Sequence, residues 1–276
     1  MNNVVVRSIS GVVFILAMLA CLMFNKFLFA GLIIFIMSVM LLEFYHITMG
    51  NSYTFSKVLA IIAAIFLFGL LFATASYHIP IRFVAFAMVP IFIVMINSLY
   101  VKDKDEYGKF SNIYTGLLYI AVPIALSNLI AFDKAGNFSG NLLLCFFIII
   151  WCSDVGAFAF GISLGKIFPQ KLFPSVSPKK TWIGFIGGLV SSVLAAFALY
   201  EFGILMFPLI HCLILSFIMS VTGVYGDLFE SQWKRVYGVK DSGKIIPGHG
   251  GFLDRFDSTL MAMPFGAIYL AIFDLL

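Results

Sequence analysis

Long apolar runs, broken by short polar ones, dominate the chain from end to end. Stretches near 6–24, 27–47, 58–77, 81–101, 113–132, 141–161, 183–202, 207–224 and 259–275 approach or reach the ~20 mostly apolar residues that a helix needs to cross the hydrocarbon of a bilayer. Residues 58–77 and 183–200 carry no charged side chain. The pattern predicts an all-α, polytopic integral membrane protein of about nine transmembrane helices. The least distinct division is between the seventh and eighth runs, where Glu201, Gly203 and Pro208 mark a short turn. One bent helix there would invert the topology of everything after it.

Composition excludes the alternative of a soluble globular domain: 62% of residues are hydrophobic, 11% are charged and the mean hydropathy is +1.07. The first run follows Arg7 as a secretory signal would, yet it is long, shows no small-x-small cleavage site and is followed by further spans, so a membrane helix is expected. Met18-Leu19-Ala20-Cys21 is a poor lipoprotein site, and chance in an apolar helix accounts for it. Cys21, Cys145, Cys152 and Cys212 all lie in apolar runs without ligand-like spacing, which predicts neither disulfides nor a zinc site.

Charge placement orients the chain, because cytoplasmic loops of membrane proteins carry the excess of Lys and Arg. With the N-terminus cytoplasmic, Arg7, Lys57, the Lys102/Lys104/Lys109 loop, the Lys166/Lys171/Lys179/Lys180 loop and the loop 224–258 share the cytoplasmic face. Only Lys26, Arg82 and Lys134 fall outside, so 14 of 17 cations lie on one side. The net charge of +4 is modest, and its basic excess faces anionic lipid headgroups. Nothing in this pattern calls for a nucleic-acid partner.

Polar chemistry is concentrated late in the chain. Residues 1–140 read as membrane-anchoring helices, with Glu43 and His46 near one helix end and a solvated K-D-K-D-E turn at 102–106. Residues 141–276 read as the catalytic half. There, Asp154 stands inside an apolar span, where a carboxylate faces a polar cavity, a metal or a cation, or else pairs with Lys or Arg to hold helices together. Gly156, Gly161 and Gly165 on the same segment suit close helix packing. In Ser177-Pro178-Lys179-Lys180-Thr181, a helix starting soon after Pro178 would aim backbone N–H groups at an anion, with Ser177 and Thr181 adding hydroxyls and Lys179 and Lys180 point charges. The same basic residues would also serve as a simple topology signal.

The third polar element, residues 226–258, gathers 10 of the 30 formal charges. Asp227 and Glu230 share a helix face with Lys234 one turn on, a spacing that an i, i+4 ion pair would explain for Glu230. Asp254 and Asp257 lie beyond Pro247-Gly248-His249-Gly250-Gly251, a turn able to bring backbone donors to phosphate oxygens. Carboxylates at both ends of this stretch suit Mg²⁺, which takes a few carboxylates, several waters and substrate phosphate. Lys240, Lys244 and Arg255 balance the remaining charge, and His249 is placed to bind or donate to phosphate.

These residues also resemble a known signature. Ser231, Lys234, Arg235, Lys240, Asp241, Gly243, Pro247, His249, Gly250, Gly251, Asp254, Arg255 and Asp257 fill every fixed position of the phosphatidate cytidylyltransferase (CDP-diacylglycerol synthase) pattern. The S-D-x-x-A-F run from Ser153 and the S-P-K-K-T run from Ser177 are similar too, so the likeness covers roughly the C-terminal half. One departure is Ile183, where the pattern normally has an acidic residue. The resemblance implies transfer of CMP from CTP to phosphatidic acid, giving CDP-diacylglycerol and pyrophosphate at the cytoplasmic face of a bacterial inner membrane. It implies a Mg²⁺ ion on Asp227 and Asp254, with a second, monovalent cation nearby. Asp241 and Asp257 would then be supporting carboxylates, with His249 among the catalytic groups. Ser177, Lys179, Lys180, Thr181, Lys234, Arg235, Lys240, Lys244, Gly250, Gly251 and Arg255 would contact phosphate or headgroup, and Asp154 would wall the cavity. A homodimer is the default assembly for such an enzyme. The alternatives are a CTP-dependent lipid kinase, a polyprenyl-phosphate transferase and a cation-binding transporter; the last would place acidic residues deep in several spans, and only Asp154 is so placed.

Overall fold

The computed structural model describes residues 3–101, 107–246, 248 and 250–276, with side chains from Ser10 onward. His249 and the 102–106 turn therefore lie outside the described residues. The chain is helical almost throughout: α1 (Asn3–Phe24), α2 (Lys26–Met49), α3 (Thr54–Tyr77), a 3₁₀ segment (Ile81–Ala87) leading into α4 (Met88–Ser98), α5 (Tyr107–Gly116), a π segment (Leu117–Ala121) leading into α6 (Val122–Ala131), α7 (Asn141–Leu164), α8 (Trp182–Glu201), α9 (Leu209–Val236) and α10 (Leu253–Ile272). Each apolar run of the sequence falls on helix. Among the described residues, 7 helical stretches are long and apolar enough to cross a membrane. Their outward positions are apolar as well, Phe35, Ile62, Leu118, Leu194 and Phe217 among them, as a lipid-facing surface requires.

The doubtful turn resolves into two helices. The N–H groups of Ile204 and Leu205 both bond to the Leu199 carbonyl, at 2.9 and 3.1 Å, and Gly203 takes a φ of +68°, the left-handed conformation that ends helices. Pro208 then sits just ahead of α9, where its missing N–H costs nothing.

The chain forms two compact units: Met1–Ser139 with Asp241–Arg255, and Gly140–Lys240 with Phe256–Leu276. The segment 241–255, assigned by sequence to the catalytic half, packs with the first unit. That unit is built on α2, whose Phe29, Ile33, Ile36, Met37, Met40 and Leu41 are almost wholly buried, with α3 against α6 beside it. Tyr45 explains a local irregularity. Its hydroxyl donates to the Ile113 carbonyl at 3.0 Å, and a Cβ on Gly116 would come within 2.6 Å of its ring. A carbonyl engaged from outside the helix, with Pro123 unable to donate just beyond, leaves the ladder free to widen into the π turn at 117–121. Between α6 and α7, Asp133 accepts the backbone N–H groups of Asn137 and Ala135, at 2.8 and 2.9 Å. Led by the Asn137 bond, these hold its carboxyl below the usual carboxylate range.

The second unit packs α8 against both α7 and α9. Small residues set the closeness of α7 and α8: a side chain at Gly187 would enter Phe160, and one at Gly188 would meet the Ser153 carbonyl at 2.8 Å. The packing role expected of Gly156 also holds, since a Cβ there would collide with Ser191 of α8. A hairpin that the sequence did not announce interrupts the helices. β1 (Lys171–Phe173) pairs antiparallel with β2 (Ser177–Thr181), Lys171 opposite Thr181 and Phe173 opposite Ser177, with an irregularity between. Its second strand is the S-P-K-K-T motif.

Candidate active site

In the second unit, the motif is a short strand leading into a capped helix, α8, which starts at Trp182, soon after Pro178 as expected. Pro178 fits a short two-stranded ribbon, where one edge needs no donor. Thr181 ends the strand with extended backbone and accepts the Gly184 N–H on its hydroxyl at 3.2 Å, the N-cap of α8. Thr181 is buried, and its first task is therefore structural.

Lys180 leaves the strand toward α9, where its ammonium lies 2.5 Å from Asp227 Oδ2, both side chains about a quarter to a third exposed. The other oxygen of Asp227 accepts from the Ser231 hydroxyl at 3.2 Å. Lys179, Lys180, Thr181, Asp154 and Asp227 together line a cavity of about 550 Å³ whose remaining wall is apolar, with Phe158, Ile162, Leu172, Phe185 and Val224. Asp154 is open to this cavity and accepts from Ser258 at 3.4 Å. Behind it, the Ser153 and Ser220 hydroxyls bond at 2.8 Å and tie α7 to α9. Asp257 feels the negative charge of Asp227, Glu230 and Asp154. Four carboxylates thus share one neighbourhood, relieved by Lys180 and by Lys234.

Lys234 forms the i, i+4 ion pair that its spacing from Glu230 suggested. It bonds Glu230 at 3.0 Å, one turn away on α9, and Glu230 is 1% exposed. A buried carboxylate needs such a partner. Arg235, Lys240 and Arg255 are exposed, as are Asp241 and Lys244, while Ser177 is half-buried.

In the first unit, the 241–255 segment is organised around two carboxylates. Asp254 Oδ2 accepts three hydrogen bonds, from the Ser242 N–H at 2.8 Å, the Ser242 hydroxyl at 2.9 Å and the Gly251 N–H at 2.9 Å. Glu43, on α2 and 6% exposed, accepts the Phe252 N–H at 3.1 Å on one oxygen and the Leu253 N–H at 2.9 Å on the other. Its negative charge therefore sits at the start of α10, where the helix dipole favours it. Gly250 and Gly251 serve these carboxylates. A Cβ on Gly251 would come within 2.5 Å of Glu43 and into the Ser242 hydroxyl, and one on Gly250, whose φ is +88°, would lie 2.6 Å from Asp254. The absence of a Cβ at both positions thus leaves room for side chains of the protein itself.

Glu43 stood out in the sequence among helices with little other chemistry, but its partners in the 241–255 segment did not. Its signal was present: one carboxylate within an otherwise apolar helix demands partners.

Asp227 and Asp254 each offer hard carboxylate oxygens, the donor type that Mg²⁺ takes together with water and phosphate. Among the described residues no group of three or more His, Cys, Asp or Glu is placed so that it could hold a metal ion. Asp227 and Asp254 belong to different compact units.

The fold defines the class: a polytopic α-helical membrane protein, whose second unit holds a mostly apolar cavity lined also by two lysines and two aspartates. The chain belongs to the cytidylyltransferase family, whose model matches residues 5–273. It is 41% identical over 182 residues to the phosphatidate cytidylyltransferase of Bacillus subtilis (strain 168), a match covering 65% of this chain and 63% of that protein. To the phosphatidate cytidylyltransferases of Staphylococcus saprophyticus and Staphylococcus aureus (strain COL) it is 45% and 46% identical over 124 residues, 45% of this chain and 46% of each relative. The matched stretches thus span under two thirds of these relatives' length.

Proposed function

We propose that the protein is a phosphatidate cytidylyltransferase of a bacterial cytoplasmic membrane: CTP and phosphatidic acid give CDP-diacylglycerol and pyrophosphate. The observation that carries this reading is the cavity in which Lys179, Lys180 and Asp227 face an apolar wall. A phosphate monoester on a diacylglycerol has that same division, an anionic head on an oily body.

In the reaction, a lipid phosphate oxygen attacks the α-phosphorus of CTP, a P–O bond forms there, and the bond to the β-phosphate oxygen breaks to release pyrophosphate. Such a displacement asks the protein to bring two polyanions together and to stabilise spread negative charge. Lys179 and Lys180 supply positive charge beside the headgroup. The Lys180–Asp227 pair fixes the ammonium's position, and the apolar wall holds the first carbons of the acyl chains, whose remainder stays in lipid. Phosphatidic acid then enters sideways between helices rather than through water.

Mg²⁺ is the expected cofactor, with Asp227 and Asp254 the residues that would hold it and a monovalent cation as a second ion. When bound it neutralises phosphate oxygens and favours departure of pyrophosphate. Asp241 and Asp257 act as supporting carboxylates. Arg235, Lys240, Lys244 and Arg255, exposed and cationic, are the further contacts for CTP or headgroup phosphates.

The test is turnover by purified protein in mixed micelles of detergent and phosphatidic acid, following pyrophosphate release from CTP with Mg²⁺ and with EDTA. Release that requires both CTP and phosphatidic acid and stops in EDTA supports the reading. No release under any condition removes it.

A further inference from the structure

We propose that Glu43 is a positioning residue for Asp254. From α2 it fixes the turn that fixes that carboxylate, an inference that rests on the cytidylyltransferase reading above. Three observations within the first unit lead there. Glu43 takes both N–H groups that open α10, Phe252 on one oxygen and Leu253 on the other, immediately before Asp254 in the chain. Ser242 joins the two carboxylates: its hydroxyl donates to Asp254 at 2.9 Å and lies 3.4 Å from Glu43, and it accepts the Asp254 N–H at 3.3 Å. Finally, two glycines of the segment are shaped around Glu43. A Cβ on Gly243 would run into its carboxylate, and so would one on Gly251.

Packing alone does not call for this arrangement. An amide or hydroxyl close in sequence would cap α10 at lower cost than a carboxylate brought from α2, buried and facing the like charge of Asp254. A full charge secures two backbone donors at once and with fixed geometry, since charge-assisted hydrogen bonds are shorter and about twice as strong as neutral ones. With Phe252 and Leu253 pinned from one side and Gly251 and Ser242 from the other, Asp254 is confined to the orientation in which Oδ2 is the bonded oxygen. Glu43 acts through this turn and has no contact with substrate in the proposal.

Glu43→Gln is the direct probe, because glutamine offers one acceptor oxygen and turns an NH₂ toward the second N–H. Purified full-length Glu43→Gln, Ser242→Ala and the double variant are compared with the unmodified chain in CTP and phosphatidic acid turnover. Glu43→Gln is expected to lower kcat by about 10- to 100-fold with KM for CTP changed by less than about twofold, since misplacement at a reacting centre penalises rate over binding. The double variant should be no slower than the slower single variant, because both cut the same link. Trypsin provides a readout independent of activity: cleavage after Lys240 and Lys244 should accelerate in Glu43→Gln while other sites are cut as before. Glu43→Asp, which keeps the charge but falls short of the two N–H groups, should resemble Glu43→Gln and covers the case in which the latter does not accumulate. Unchanged kcat per folded molecule, additive losses in the double variant, or unchanged tryptic cleavage would each overturn the proposal. If the unmodified chain makes no CDP-diacylglycerol, the cytidylyltransferase reading falls instead, and the tryptic comparison still decides whether Glu43 holds the segment.

Discussion

Lys180 and Asp227 meet at 2.5 Å in the wall of the cavity in the second unit, one from a short strand and one from a long helix. The pair is only partly exposed, so its worth to stability is small, about 0–1 kcal/mol. Under the proposed reaction its worth to function is greater, because it would set where a positive charge waits for phosphate. Lys180→Met is therefore expected to fold with a melting temperature close to that of the unmodified protein and to lose about 10²-fold or more in kcat/KM. Steady-state kinetics beside thermal unfolding in detergent check this. A large drop in melting temperature with kcat/KM intact per folded molecule would show the pair to be structural.

Asp227→Asn and Asp254→Asn separate chemistry from folding in a different way. The Asp254 oxygen that accepts from Ser242 and Gly251 can be replaced by the amide oxygen of asparagine, so the turn survives. Each variant should insert and purify normally and fall below about 1% of the unmodified turnover. Activity within a few-fold of the unmodified protein in either variant would remove that residue from the reaction.

Gly251→Ala tests the compactness of the 241–255 turn. Its Cβ would fall on the Glu43 carboxylate and the Ser242 hydroxyl, side-chain ends that their hydrogen bonds to Phe252, Leu253 and Asp254 hold in place. Overpacking of this kind costs about 1–3 kcal/mol. The expected result is a lower melting temperature together with loss of turnover. Gly238→Ala is a useful contrast: it stands in open space with φ of +68° and should pay only a backbone penalty, of about 1 kcal/mol. Equal effects of the two substitutions would contradict the packing described around Glu43.

Much of this architecture was legible in the sequence because the membrane imposes a simple rule. Apolar runs must become helices when no water is available to backbone groups, and every run did so. The break at Gly203 and Pro208 was the least distinct of these divisions, because only a short turn separates the two runs. The Lys234–Glu230 pair was visible from its i, i+4 spacing. The hairpin was not, because strands of three and five residues offer too few positions for alternation to show, and Pro178 reads equally well as a helix boundary. Glu43 was noted but its contacts were not legible: its partners lie about two hundred residues away, and no local spacing announces a contact of that range.

The most direct measurement follows the label of CTP into lipid. With purified protein, phosphatidic acid and Mg²⁺, [α-³²P]CTP should yield organic-extractable radioactivity that migrates as CDP-diacylglycerol, matched by one pyrophosphate for each lipid formed. [γ-³²P]CTP should leave the lipid unlabelled. Label entering lipid from the γ position and not from the α position would mean that the protein is a kinase, and would contradict the account given for its cavity.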